Sequence, residues 1–437
     1  MDFGEFILAH DADDLARLAL GRSRFSDDVE DFDLALTTLE ARRKLRGKVP
    51  EWLALPSLRY PFRLSAEQCS STGTARYKAA VARAAVARTD AIDTAIADLT
   101  GGLGVDAWAF SQRFGQVLYN EMKPELAQAA GYNFRALGVE NIVVRNFVLG
   151  GISRPLEHGP FPDACGGVPV REVLGDFRPD VLYLDPARRA VDGRKVFRLE
   201  DCQPDVLSLL PDLLEACPLL LLKLSPMADI TLVCRRLACV KQVHVVAVEG
   251  ECKELLLLLE RDFEGEPRLF VVEDDAVQEI QNDDGSGQNE EGYGRGGVVC
   301  RQDRLSCHPE ERSDEGSFLF LPGKALLKAG AFDWPCRYGL RALGRHTHLY
   351  TSASVVAGLS PFGKWFRILQ VVPLNKRSFK ELGKKYPQAE VTARNIPLSS
   401  DQLRARIGCR SGGTVQIFGL HEDDTRSASL FVCTRNR

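Results

Sequence analysis

Asp98-Leu99-Thr100-Gly101-Gly102-Leu103-Gly104 is the stretch of this chain whose residue types and spacing suit chemistry on a bound ligand. It closes an apolar run, Ala95-Ile96-Ala97, and opens an amphipathic segment through three glycines. Glycine lets a backbone turn sharply and come close to a ligand, and a following helix N-terminus offers unpaired N–H groups and a positive dipole end. Three readings fit such a turn: a dinucleotide fingerprint, an S-adenosylmethionine (SAM) turn, or a structural loop. The dinucleotide pattern calls for a further glycine where Ala107 stands. The next apolar run, Gln116-Val117-Leu118-Tyr119, ends at Asn120-Glu121, placing a carboxylate where a ribose diol would lie. SAM carries a sulfonium, an ammonium and a carboxylate. Its site needs an acid near the cationic end, N–H groups for the carboxylate and an acid for the ribose. Asp98, the turn with Thr100, Gly101, Gly102 and Gly104, and Glu121 supply these, and Asn146 stands where an amide meets the adenine amino group.

A second stretch, Asp185-Pro186-Ala187-Arg188-Arg189, follows the apolar run Val181-Leu182-Tyr183-Leu184. Open α/β sheets bind ligands outside the carboxyl ends of their strands, so Asp185 is expected to face a transferred methyl group. The stretch resembles the Asp/Asn-Pro-Pro-aromatic motif of amino-group methyltransferases, in which the carboxylate and a backbone carbonyl accept hydrogen bonds from the target amine. Here Ala187 replaces the second proline and Arg188 the aromatic ring. A guanidinium stacks on a base or holds a phosphate, which keeps a nucleobase substrate open. Asp185, Pro186 and Arg188 are the candidate catalytic residues. Lys223 ends another apolar run and either contacts substrate or is exposed. Ser70, Ser71, Thr74 and Lys78 either line the crevice or belong to a packed helix, and Glu251-Cys252-Lys253-Glu254 reads as a charged surface turn.

These residues need a sheet to hold them. Short apolar runs alternate with helical patterns, predicting strands at 95–99, 116–120, 141–145, 180–184, 219–223, 242–248 and 254–260. The connection between the last two is too short for a crossover helix, so that pair must be antiparallel. The fold class is therefore α/β, a seven-stranded Rossmann-like sheet finished by an antiparallel hairpin. Before it, residues 1–90 read as helical, with helices at Asp11–Leu20 and Asp31–Leu45, a capping-box spacing at Ser65-Ala66-Glu67-Gln68, and an Ala-rich helix after Thr74. Residues 281–317 are polar and Gly-rich, which predicts a disordered linker or insertion. Beyond it a small α+β region is expected, with strands at 366–372, 414–418 and 427–433 and a basic helix at 378–386.

At 437 residues with 45% hydrophobic content, the chain suits two or three folded domains. No basic N-terminal segment leads into an apolar stretch, so no signal peptide is expected, and Leu207–Leu224 is interrupted by Pro211, Asp212, Glu215, Pro218 and Lys223, which excludes a membrane span. The twelve cysteines form no CxxC pair; reduced thiols in a cytoplasmic protein are expected, and no metal centre. Net charge is −4, yet from Pro361 onward Lys and Arg outnumber Asp and Glu by about eight.

Taken together, Glu67-Gln68-Cys69-Ser70-Ser71, Thr74-Ala75-Arg76-Tyr77-Lys78, Asp98 to Asp106, Asp185 to Arg189, Gly250 to Glu254 and Thr392-Ala393-Arg394-Asn395-Ile396-Pro397 are similar to a family of bacterial class I SAM-dependent methyltransferases with a THUMP-like C-terminal domain. The resemblance implies an N-terminal helical domain over 1–90, a methyltransferase domain over 91–280 and a THUMP-like domain over 318–437. It also implies SAM at the glycine turn and an RNA-directed C-terminal module. Lys376, Arg377, Lys380, Lys384, Lys385, Arg394, Arg404, Arg406 and Arg410 are the residues available to track phosphates. Methyl transfer to a tRNA or rRNA nucleoside is the expected function. A protein or small-molecule substrate, and a non-catalytic RNA-binding role on the same fold, remain open alternatives.

Overall fold

Asp98 owes its position to a four-residue strand, β1 (Ala95–Asp98), every residue of which is buried. Such short, wholly buried strands are what a parallel sheet covered on both faces requires. The computed structural model describes residues 1–25, 29–87, 90, 92–150, 167–188, 199, 202–281, 317–344, 346–422 and 428–435. The expected linker, with Cys300, Cys307 and His308, lies outside the described residues apart from its two ends, as do Arg189 and the side chain of Arg188. The chain divides into two compact units, Met1–Val243 with Glu254–Pro267, and His244–Lys253 with Arg268–Arg437.

In the first unit β1 lies between β2 (Gln116–Asn120) and β4 (Val181–Leu184), parallel to both, with Ile96 opposite Val117 on one side and Val181 on the other. β3 (Ile142–Arg145) continues parallel beyond β2. After the two-residue strands β5 (Ala187–Arg188) and β6 (Cys202–Gln203), which pair with each other, β7 (Leu219–Leu224) lies parallel to β4. The chain thus runs outward from β1 in one direction through β2 and β3, then returns to run the other way through β4 and β7. That reversal makes a switch point between β1 and β4, the place at which open α/β sheets bind ligands.

All seven expected strands are present. The last two are β8 (Val240–Val248) and β9 (Glu251–Glu260), and β9 runs antiparallel to β7 with Leu220 opposite Leu259. Their connection is shorter than the sequence pattern suggests. Only Glu249 and Gly250 form the turn, both left-handed with φ of 54° and 74°, the geometry that matches hairpin twist. Glu251 to Glu254 are consequently strand, not turn.

The expected N-terminal helices form as Leu15–Leu20 and Phe32–Leu45, with Asp14 and Asp31 as their N-caps. Ser65 is not a cap: it lies inside the helix Arg63–Gln68, which starts at Phe62 without a side-chain cap. The helix Thr72–Ala85 is capped by Ser71 and packs on the helix Val105–Ser111 that follows the glycine turn.

In the second unit, β10 (Arg268–Glu273) and β11 (Ala276–Ile280) form a hairpin absent from the sequence reading. The signal was available in Asp274-Asp275 between two apolar runs, and Asp274 takes φ 53°. The C-terminal sheet contains β12 (Phe318–Pro322), β13 (Arg341–Ala342), β14 (Tyr350–Ser352), β15 (Gly363–Pro373), β16 (Glu390–Arg394), β17 (Val415–Leu420) and β18 (Ser429–Arg435), in the order β13-β14-β12-β15-β18-β17-β16. Helices Lys376–Lys385 and Ser400–Ile407 cover it through Phe379, Leu382, Leu403 and Ile407, which pack with Ile417 and Leu430. Among the described residues no helix is long and apolar enough to cross a membrane.

Candidate active site

The turn after β1 is held from below by β2. Tyr119 donates its hydroxyl to the Gly102 carbonyl at 2.6 Å, and the Asn120 amide donates to the carbonyls of Leu99 and Phe147 at 3.2 and 3.1 Å. Sequence pattern predicts free N–H groups here, but several are taken within the protein. Thr100 N–H donates to Asp98 Oδ1 at 3.1 Å, Gly101 N–H to the Asn120 carbonyl at 2.7 Å, Gly102 N–H to Glu121 Oε2 at 2.9 Å and Gly104 N–H to the Gly101 carbonyl at 3.0 Å. The glycines have a different necessity. A Cβ on Gly101 would lie 2.1 Å from the Tyr119 ring, and Gly104 takes φ 92° as the residue that starts the next helix. Gly101→Ala must therefore push aside a fully buried tyrosine, and it is expected to lower stability by about 1–3 kcal/mol. A thermal melt checks this; an unchanged midpoint would show that Tyr119 yields freely.

Asp98 is 1% exposed. Its Oδ1 accepts the Thr100 N–H, whereas Oδ2 is buried with no hydrogen-bond partner among the described residues. Burial, reinforced by the neighbouring Asp106 carboxylate, raises its pKa well above the ordinary 3.8. Glu121 is also buried, and accepts the N–H groups of Gly102 and Lys123, each at 2.9 Å. Asn146 is exposed, and its amide donates to the Glu121 backbone carbonyl at 2.6 Å.

Asp185 lies on the same edge of the sheet as Asp98. Its N–H donates to the Thr100 hydroxyl at 2.7 Å, so Thr100 ties the loop after β4 to the loop after β1. Asp185 Oδ2 meets Lys223 Nζ at 2.5 Å, with side-chain exposures of 34% and 15%. Lys223 is thus neither a lone substrate contact nor a solvated charge. Burial opposes its ionisation, but Asp185, Glu254 and Asp106 outweigh it and hold the pKa above the ordinary lysine value. Pro186 is buried in the strand exit, and the backbone of Arg188 pairs with Cys202.

Beneath this edge lies a buried charge network. Lys78 is fully buried, and its Nζ donates to Ser70 Oγ at 2.6 Å and to Glu254 Oε2 at 3.1 Å, and meets Asp106 Oδ1 at 3.1 Å. Asp106 Oδ2 accepts the hydroxyls of Ser70 at 2.9 Å and Tyr183 at 3.0 Å. Burial opposes the Asp106 charge, yet Lys78 and Lys223 outweigh it and hold its pKa low. At Glu254 burial dominates and the pKa is raised. The reading of Glu251 to Glu254 as a surface turn is corrected here: Glu254 is 2% exposed, because the tight turn at Glu249-Gly250 leaves it four residues into β9. Ser70 and Lys78 belong to this buried network, whereas Ser71 serves its own helix by accepting the Thr74 N–H at 3.2 Å. Asp106, Tyr183 and Glu254 escaped the sequence reading. An acid inside the otherwise apolar Val105-Asp106-Ala107-Trp108 was the one local signal for a buried charge.

A family model described as THUMP domain-like matches residues 363–435, and one described as a ferredoxin-like domain matches residues 318–359. A solved structure from Porphyromonas gingivalis W83, described as a candidate methyltransferase, is 28% identical with a TM-score of 0.74, covering 100% of this chain and 98% of its own. An rRNA methylase from Streptococcus thermophilus aligns at 11% identity and TM-score 0.27, over 43% of this chain and 93% of that one. A ribosomal protein L11 methylase from Lactobacillus delbrueckii subsp. bulgaricus aligns at 14% identity and TM-score 0.28, over 43% and 78%. No curated protein matches the chain. With β1 flanked by β2 and β4 at the switch point, β9 antiparallel to β7, and the C-terminal match, the chain has the class I methyltransferase fold followed by a THUMP-like domain.

Proposed function

We propose that the protein is a SAM-dependent methyltransferase that acts on RNA. The observation that carries the cofactor is Asp98, whose Oδ2 is buried without a partner at the switch point of the sheet. Such an atom costs free energy in the free protein and is relieved by a cationic ligand. SAM supplies an activated methyl group and brings an ammonium that fits this carboxylate. Glu121 would hold the ribose through the lone pairs its two backbone donors leave over, and the turn of Thr100, Gly101, Gly102 and Gly104 would lie against the cofactor, with Gly102, where an added Cβ meets no atom nearer than 3.9 Å, allowing close approach. Asn146 would contact the adenine amino group.

For the chemistry, Asp185 accepts a hydrogen bond from the substrate's nucleophile through the oxygen not paired to Lys223, and Lys223 with Thr100 fixes its loop. Pro186 shapes the strand exit, and Arg188 would stack on a base or hold a phosphate. Positioning and electrostatics of this kind are the protein's main contribution to a group transfer whose donor carries its own leaving group. The RNA substrate is supported by the THUMP-like match and by the excess of about eight positive charges from Pro361 onward. Calorimetry is expected to show stoichiometric SAM binding. Mass spectrometry of nucleosides from cells lacking the gene is expected to show loss of a single methylated nucleoside; an unchanged profile would point to a different substrate class.

A further inference from the structure

We infer that the furrow between the helices Lys376–Lys385 and Ser400–Ile407 binds the phosphodiester backbone of a single RNA strand, an inference that rests on the RNA reading above. The furrow encloses about 650 Å³. Lys376, Lys380 and Lys384 line it from one helix and Arg406 from the other, and no carboxylate is among its lining residues. The three lysines recur every four residues, so they form one row along a helix face, stepping by about 6 Å. Phe379 and Ile407, 7% and 3% exposed, anchor the floor into the core. Gly383 permits the close packing, since a Cβ there would lie 2.0 Å from the Ile407 carbonyl oxygen.

Three neighbouring cations have other contacts. Arg377 pairs with Glu381 at 2.9 Å, Arg404 pairs with Asp401, and Lys385 lies 5.3 Å from the Tyr386 ring centroid. Four cations without an acid among them therefore line one channel, while Arg377 and Arg404 nearby are paired with acids. Packed helix axes lie about 8–10 Å apart, so the furrow between them presents a single row of contacts, as one strand requires. A row of point charges over a smooth apolar floor recognises a repeating phosphate and carries no base-specific information.

The test uses the full chain and a fluorescent oligouridylate longer than about 16 nucleotides, titrated at several salt concentrations. With about four phosphates neutralised, the slope of log K against log salt is expected near −2.8. Lys380→Gln combined with Lys384→Gln should weaken binding about tenfold and flatten the slope by about 1.4. Arg377→Gln combined with Arg404→Gln, which carries the same net charge, should change affinity less than about twofold. If both double variants weaken binding equally, the furrow is overturned and only net charge matters. If polyglutamate competes as well as RNA, the partner is an acidic protein and the inference falls. If the wild type binds neither oligouridylate nor bulk tRNA, the RNA reading falls with it, and SAM calorimetry on the same samples judges the enzyme reading separately.

Discussion

Lys78→Met is expected to destabilise the first unit by about 3–5 kcal/mol, the usual cost of removing one partner from a buried ion pair. The lysine is fully buried, and its ammonium is the direct counter-charge to Asp106 and Glu254, themselves 8% and 2% exposed. Methionine fills the volume of the stem but leaves two carboxylates without the ammonium they share. The loss should shrink as pH falls, because Glu254 already has a raised pKa from burial and takes up a proton more readily once Lys78 is gone. Adding Glu254→Gln to Lys78→Met should recover at least about 1 kcal/mol, the signature of residues that act on each other. Thermal melts of the single and double variants across pH check the expectation. Additive losses with no pH dependence would show that Lys78 contributes packing alone.

Asp98→Asn is expected to separate stability from binding. Burial penalises the charged carboxylate, so above its raised pKa the free protein should become more stable by about 1 kcal/mol with a neutral amide. Asparagine retains an oxygen for the Thr100 N–H, which keeps the turn intact. SAM affinity should fall at least about 30-fold, corresponding to the lower end of the 2–5 kcal/mol lost when one partner of a buried charged pair is truncated. The sign of the pH dependence follows from the raised pKa. Folding favours the protonated carboxyl, so wild-type stability declines as pH rises from the ordinary value of 3.8 to the raised folded value, then stays level. SAM prefers the carboxylate, so its affinity rises with pH up to the raised pKa of the free folded protein, and binding below that pKa releases a proton. Asp98→Asn should abolish both trends. Calorimetry in buffers of different ionisation enthalpy measures the proton directly. A variant that binds SAM as tightly as wild type would remove Asp98 from the cofactor site.

The parts legible in the sequence are those written by local rules. Alternating apolar runs and helical patterns placed all seven expected strands, and the short link between β8 and β9 showed that their directions oppose. The acid–glycine turn after β1, Glu121 one strand later and Asp185 after β4 were readable because each sits at a strand end, where topology alone assigns the edge. Tertiary structure decided what lies beneath. Lys78 and Glu254 are 176 residues apart, and a periodic pattern specifies which face a residue takes within its own element, not which distant charge it will meet. The same limit applied at the C-terminus: nine cations have equal standing in the chain, and only helix packing separated the four that share a furrow from Arg377 and Arg404, which pair with acids. Burial and pairing are properties of elements brought together. A charge read as solvated in the chain, such as Glu254, becomes a core residue once a two-residue turn shifts it from hairpin tip to strand interior.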